Sequence, residues 1–144
     1  MRSMPIIEFD MLIAYVNIID KLHRIASMIF TRIVNGELVN VAVPTSAYME
    51  YELILRSKGY NEEVIRKDIE AFRLMKNLDE VPLTSSILIE ASRLRNRYGL
   101  SYFDSLHAAS ALLYDKTIIS VDKAYRRIKG LKVLDPRELV GNVG

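Results

Sequence analysis

Four carboxylates, Asp10, Glu50, Asp104 and Asp122, stand where apolar runs of this sequence give way to helical patterns. The chain of 144 residues has no cysteine and only two histidines, His23 and His107. A thiolate or multi-histidine zinc site is therefore excluded, and oxygen is the donor left for metal chemistry. Carboxylates gathered in one cleft repel each other and hold on to protons. A hard divalent cation, Mg2+ or Mn2+, would remove that conflict, lower the pKa of a bound water and offset charge on a phosphate. The chemistry such a set could serve is hydrolysis of a phosphodiester. Each acid alone has a plainer explanation as a helix cap or a solvated charge. Only their convergence at one place would call for more.

Convergence depends on the elements that carry them. Met4–Phe9 reads as a short strand, and Asp10 opens an apolar segment, Met11–Val16. From Asp20, the apolar residues Leu22, Ile25, Ala26, Ile29 and Ile33 recur at helical spacing. Asn35-Gly36 is a turn signal. Val39–Val43 reads as a buried strand ended by Pro44, and Thr45 or Ser46 can cap the helix after it. The apolar face of that helix is Ala47, Tyr51, Ile54 and Leu55, with Gly59 at its end. Asn61 caps a helix with the stripe Ile65, Ile69, Phe72 and Met75. Glu80–Leu83 is a short strand. Two further helices follow, about Ser85–Arg97 and Phe103–Tyr114, then strands at Thr117–Val121 and Lys132–Leu134. Asp135-Pro136-Arg137-Glu138 opens a last helix.

Strands alternating with helices imply right-handed crossovers and a parallel sheet covered on both faces. The expected fold is α/β, a three-layer α/β/α sandwich with a short, mostly parallel central sheet of four or five strands. Ligands of such sheets bind beyond the C-terminal strand ends. Asp10, Glu50, Asp104 and Asp122 all fall at that edge.

Composition sets the outer bounds. Half of the residues are hydrophobic and 26% are charged, enough for a real core and too apolar for disorder. No repeat or linker divides the chain, so one domain is expected over 1–144. The apolar stretch Met11–Ile19 is broken by Asn17 and is too short to span a bilayer, and no basic leader precedes it. The absence of cysteine fits a cytoplasmic location. A net charge of +2, from 20 basic and 18 acidic side chains, barely hints at nucleic acid. Distribution says more: Arg126, Arg127, Lys129 and Lys132 cluster after Asp122, and Arg93, Arg95 and Arg97 alternate along one helix. Lys123 and Arg127 are the best placed for phosphate contacts, although a solvated face explains them as cheaply. The tyrosines Tyr48, Tyr51 and Tyr60 read as core or interface. His107, one turn after Asp104, reads as a hydrogen-bonded structural histidine, and His23 as a surface or capping partner of Asp20.

Four segments together resemble the PIN-domain family, in particular the small prokaryotic VapC-type toxins. Tyr98-Gly99-Leu100-Ser101-Tyr102-Phe103-Asp104-Ser105-Leu106-His107-Ala108-Ala109 is similar to the family's aromatic-Asp-x-x-His-Ala-Ala helix start. Thr117-Ile118-Ile119-Ser120-Val121-Asp122-Lys123-Ala124-Tyr125 is similar to its strand ending in Ser/Thr-x-Asp. Val43-Pro44-Thr45-Ser46-Ala47-Tyr48-Met49-Glu50 and Lys129-Gly130-Leu131-Lys132-Val133-Leu134-Asp135-Pro136 also fit. The opening departs from the pattern. Counting back from Asp20 without a gap puts Glu8 at the family's first Asp; a shorter turn puts Asp10 there. Asp10 is preferred, as a shorter carboxylate directly after an aromatic residue. Glu50 is preferred to Glu52 because it lies nearer the sheet edge.

The resemblance implies a Mg2+- or Mn2+-dependent endoribonuclease, the toxin of a toxin–antitoxin pair. Asp10, Asp104 and Asp122 would hold metal, Glu50 would position or deprotonate water, and Ser120 would hydrogen-bond the acids. RNA as substrate, a VapB-like antitoxin and a homodimer are the implied partners. The altered opening leaves a second possibility, a catalytically weak PIN module that binds RNA or a protein. A phosphorylated receiver domain is disfavoured because its pattern of acids and lysine is missing. A dinucleotide-binding domain is disfavoured because no Gly-rich turn follows the first strand.

Overall fold

The computed structural model describes residues 5–141. Its centre is a sheet of five short strands, β1 (Ile6–Ile7), β2 (Ala42–Pro44), β3 (Asp79–Val81), β4 (Thr117–Ile119) and β5 (Lys132–Leu134). All neighbours pair in parallel, in the order β3-β2-β1-β4-β5. In the register, Ile6 faces Ala42 on one side and Ile118 on the other. The helices are α1 (Phe9–Val16), α2 (His23–Val34), α3 (Thr45–Ser57), α4 (Glu62–Arg73), α5 (Ser85–Tyr98), α6 (Tyr102–Leu112) and α7 (Pro136–Leu139), with a 3₁₀ turn at Lys123–Arg127.

Side chains alternate across a strand, and that period builds the three layers. Ile7, Val43 and Ile119 point to one face, where they meet Met11 and Leu12 of α1, Ile29 and Phe30 of α2, Tyr51 of α3 and Phe72 of α4. Ile6, Ala42 and Ile118 point to the other, against Ile87 and Leu94 of α5, Leu106 of α6 and Tyr125. Because both faces are covered, the strands read as unbroken apolar runs. Each fully buried isoleucine of the central pair β1 and β4 contributes about 1.5–3 kcal/mol relative to exposure. Among the described residues no helix is long and apolar enough to cross a membrane.

The expected α/β sandwich is therefore the observed one, and several element ends shift for local reasons. The first strand stops at Ile7, and Phe9 is helical, not extended. The Glu8 carboxylate accepts from the Asp10 N–H at 2.9 Å and caps α1 there. Met4 lies outside the described residues. The second helix starts at His23, since Asp20 spends its carboxylate on a turn, accepting from the Leu22 N–H at 2.8 Å. His23 does not pair with Asp20 through its ring: Nδ1 lies 2.9 Å from the Ala14 carbonyl, tying α2 to α1. Neither Thr45 nor Ser46 caps α3. Pro44 holds the cap position, Thr45 donates to Glu80 at 2.8 Å, and Ser46 turns to His107. The second strand begins only at Ala42, because Asn40 takes a left-handed φ of 61°. Thr84 and Asn61 cap α5 and α4, and Gly99, at φ 68°, closes α5 in the left-handed conformation that glycine takes without strain.

Candidate active site

In a fully parallel sheet every strand ends on the same side, and four segments deliver acids to that edge. Glu8 follows β1 directly and is only 2% exposed. Asp10 is one residue into α1, half-buried at the same edge. Glu50 lies in the second turn of α3, behind β2. Asp104 sits in the first turn of α6, where Ser101 caps the helix. Asp122 follows β4: its N–H donates to the buried Ser120 Oγ at 3.0 Å, and its own carboxylate caps the 3₁₀ turn at Ala124. Ser120 thus fixes the backbone that aims Asp122.

A tyrosine ties two of these acids together. The Tyr125 hydroxyl lies 3.2 Å from Asp104 Oδ1 and 3.5 Å from Glu8 Oε2. Glu8 and Asp104, nearly a hundred residues apart in sequence, can be no farther apart than those two contacts laid end to end. Tyr125 is fully buried, and its phenol is pushed well above the usual range by burial and by the charges of Glu8, Asp104 and Asp122. It is a hydroxyl donor to this edge at any ordinary pH. The sequence placed Tyr125 only at the end of the family-like segment Thr117–Tyr125, with no role of its own. Its spacing of three from Asp122 was the available signal, since one helical turn returns it to the sheet edge.

The electrostatics place the same five acids in one field. Burial raises the Glu8 carboxyl well above its ordinary range, and Asp10, Asp104 and Glu50 raise it further. Burial, then Glu50, Asp104 and Asp122, push Asp10 up to about 6. Glu50 is held from behind: His107 Nε2 lies 2.7 Å from its Oε1. Glu52 points elsewhere, to Arg56 at 3.4 Å on the same helix, so α3 turns Glu50 to the acidic edge and Glu52 away from it. Lys123 is exposed beside Asp122, whereas Arg127 spends a guanidinium N–H on the Tyr98 carbonyl at 3.0 Å.

Among the described residues no group of three His, Asp or Glu side chains is set to hold a metal ion as the chain stands. The donor set nevertheless suits a hard cation. It is all oxygen, it is crowded with like charge, and two of its members are held above their normal pKa by burial and by their neighbours' charge. Glu8 already uses Oε1 as a helix cap and is walled in; Asp10 keeps access to the cleft.

A stability prediction follows for the cation-free protein. Between about pH 4 and 6 the folded chain binds the Asp10 proton that the unfolded chain has lost, so stability rises as pH falls through this window. Asp135, held below the usual range mainly by Arg137, acts in the opposite sense, but its contribution is lost only below the ordinary carboxylate pKa. In chelator, Tm should therefore rise from pH 7.5 to pH 5. The Asp10→Asn variant should be more stable at pH 7.5 by about 1 kcal/mol, allowing for the water that still reaches this carboxyl. Its Tm should also depend less on pH. Thermal melts of both proteins across this range check it, and equal slopes would count against a raised Asp10 carboxyl in the folded chain.

Comparison with known proteins agrees with this fold. The sequence matches the PIN domain family model over residues 12–131, and the chain belongs to the PIN-domain family. The matched span includes Glu50, Asp104 and Asp122 and begins after Asp10. Among curated proteins no sequence match is found. Solved structures that share the fold include the following three. VapBC2 from Rickettsia felis, bound to a DNA fragment from their promoter, is 13% identical with a TM-score of 0.68, over 90% of this chain and 96% of that one. A toxin–antitoxin complex from Klebsiella pneumoniae is 16% identical with a TM-score of 0.64, over 92% and 97%. FitAcB from Neisseria gonorrhoeae is 12% identical with a TM-score of 0.65, over 93% and 99%. At these identities the likeness is one of fold.

Proposed function

We propose that this chain is an endoribonuclease dependent on Mg2+ or Mn2+, and the toxin of a toxin–antitoxin pair. The observation that carries the proposal is the meeting of Glu8, Asp10, Glu50, Asp104 and Asp122 in one field at the C-terminal sheet edge, with Tyr125 in contact with two of them. Membership of the PIN family and the likeness to toxin–antitoxin structures support it. One PIN-like domain spans 1–144, working in the cytoplasm where RNA is met.

Asp10, Asp104 and Asp122 are the residues that would hold the cation, and Glu8 forms the buried wall behind them. A bound Mg2+ or Mn2+ would supply Lewis acidity and offset negative charge on the phosphate. Glu50 takes the proton of the attacking water, its carboxylate being open to the cleft on one side and bonded to His107 on the other. Lys123 meets a neighbouring backbone phosphate, and Arg127 reaches one only by leaving Tyr98. A VapB-like antitoxin restrains the enzyme by laying a chain across the acidic cleft, with a basic side chain against the carboxylates. The toxin itself is a homodimer.

The purified chain, incubated with structured RNA of mixed sequence, should cut it in Mg2+ or Mn2+, stop in EDTA and resume when the cation is restored. Tm should rise with Mn2+, by linkage worth about 2.7 kcal/mol at a hundred times the dissociation constant. A second reading, a catalytically weak PIN module, draws on the Glu8-Phe9-Asp10 opening and on the lack of a ready ligand group among the described residues. RNA binding that ignores the cation, without turnover, would establish it and remove the first.

A further inference from the structure

Ser46 and Glu50 occupy positions i and i+4 of α3, one above the other on one face. A single imidazole from α6 spans both. His107 Nδ1 lies 2.8 Å from Ser46 Oγ, and Nε2 lies 2.7 Å from Glu50 Oε1. The imidazole and Ser46 are fully buried, whereas the Glu50 side chain keeps 21% of its surface open. The Phe103 ring, one turn earlier in α6, stacks on the imidazole at 6.2 Å and 26°. A buried imidazole needs a partner for each ring nitrogen whatever its role, so the identity of the partners is what carries information. Here both ring nitrogens are used, and one of them points at an acid of the cleft.

The donors and acceptors of this chain of contacts are constrained. A carboxylate only accepts, a hydroxyl both gives and takes, and a neutral imidazole carries one N–H and one bare nitrogen. With Glu50 ionised and the imidazole neutral, Nε2 must carry the proton and Nδ1 must accept. Ser46 is the group that satisfies Nδ1. We propose that Ser46 and His107 are positioning residues for Glu50: the hydroxyl fixes the imidazole tautomer, and the Nε2–H pins Oε1 so that Oε2 faces the cleft. A glutamate has three side-chain torsions to freeze, and this bond removes the choice before substrate arrives. The kinetic consequences rest on the role given to Glu50 above; the tautomer does not.

Long-range 15N–1H spectra of the cation-free protein at pH 8 test the tautomer directly, with only two histidines to resolve. The expected ring is protonated at Nε2 and bare at Nδ1, and Ser46→Ala moves the Nδ1 resonance toward that of a free ring nitrogen. A ring protonated at Nδ1, alone or together with Nε2, overturns the proposal, as does an Nδ1 resonance unmoved by Ser46→Ala. On RNA, Ser46→Ala should lower kcat about 10–100-fold with KM nearly unchanged, the usual cost of losing a partner that orients a functional group. Ser46→Thr should restore most of the rate. His107→Gln keeps a donor near the Nε2 position and should outperform His107→Asn, whose amide reaches only toward Ser46. Equal rates for these two variants at equal stability also overturn it. Should the wild-type chain cut no RNA, the nuclease assignment falls while the spectra still decide between these outcomes.

Discussion

Replacing Asp104 by Asn is expected to lower RNA cleavage at least about a thousandfold and to leave the fold intact. The two halves of this expectation have different origins. Folding survives because the cap of α6 uses the Asp104 backbone N–H, not its carboxylate. The contact with Tyr125 needs only an acceptor at Oδ1, which asparagine retains. Removing one negative charge also relieves Glu8 and Asp10, both of which Asp104 holds up, so Tm in chelator should hold or rise. Activity fails because an amide neither binds a hard cation as a carboxylate does nor balances its charge. A thousandfold corresponds to about 4 kcal/mol of lost transition-state stabilisation, within the several kcal/mol that a divalent ion contributes at a phosphate. Glu63→Gln, at an exposed acid paired with Lys67 on α4, is the control and should cut at the wild-type rate. Cleavage within tenfold of wild type in Asp104→Asn, under single-turnover conditions, would remove Asp104 from the chemistry.

The α/β order was legible because its signals are local. The capping residues Asn61 and Asp135 stand where turn chemistry asks for them, whereas Thr84 shows its cap only in the structure. The apolar residues Ile87, Ala91 and Leu94 recur at one helical period and are all buried. Element ends were legible only where no side chain competed. Phe9 looks like the end of a strand by hydrophobicity, yet the Glu8 carboxylate turns the chain into a helix one residue earlier. Thr45 and Ser46 look like caps by type, but both hydroxyls are taken by residues far along the chain, at Glu80 and His107. Propensity sees neighbours in sequence, and these partners are neighbours only in space.

The same distinction applies at the acidic edge. Asp10, Glu50, Asp104 and Asp122 could be placed there from strand order alone, because a parallel sheet sends every strand's end to one side. The sequence preferred Asp10 to Glu8 only on side-chain length and its place after Phe9. Both are acids within two residues of β1, and the difference between them is burial: Glu8 is enclosed and serves as a cap, while Asp10 stays half-open. The contacts of Tyr125 with Glu8 and Asp104 and the pairing of His107 with Glu50 were out of reach for a further reason. Each depends on which face of a helix meets which neighbour, and periodicity gives the face without naming the neighbour. Charge clustering likewise picked out Arg127 but could not show that its guanidinium already bonds to the end of α5.

The largest effect on stability is expected at Phe72, on the opposite side of α3 from the imidazole. Its ring is 2% exposed and is the hub of an aromatic group, with centroids of Phe30, Tyr15, Tyr51 and Tyr48 at 5.7, 5.9, 6.0 and 6.3 Å. Four helices meet there, since these residues belong to α1, α2 and α3 while Phe72 itself belongs to α4. Phe72→Ala removes the transfer energy of the ring and leaves a hole that four rigid neighbours cannot close, at a cost of about 4 kcal/mol. That is a large share of the 5–15 kcal/mol typical of a domain, so the denaturant midpoint should fall steeply with little change in slope. Leu74→Ala, two residues on and 83% exposed, should shift stability by no more than about 0.5 kcal/mol. Cleavage per folded molecule should suffer far less than stability does. Glu50 is oriented from the α6 side through His107, not from the α4 side, and Tyr51 remains anchored to α4 by its 2.6 Å bond to Asp68. A loss below about 1 kcal/mol in Phe72→Ala would mean that the aromatic group is not the keystone between α3 and α4. A collapse of activity in the molecules that remain folded would mean that the orientation of Glu50 depends on that side after all.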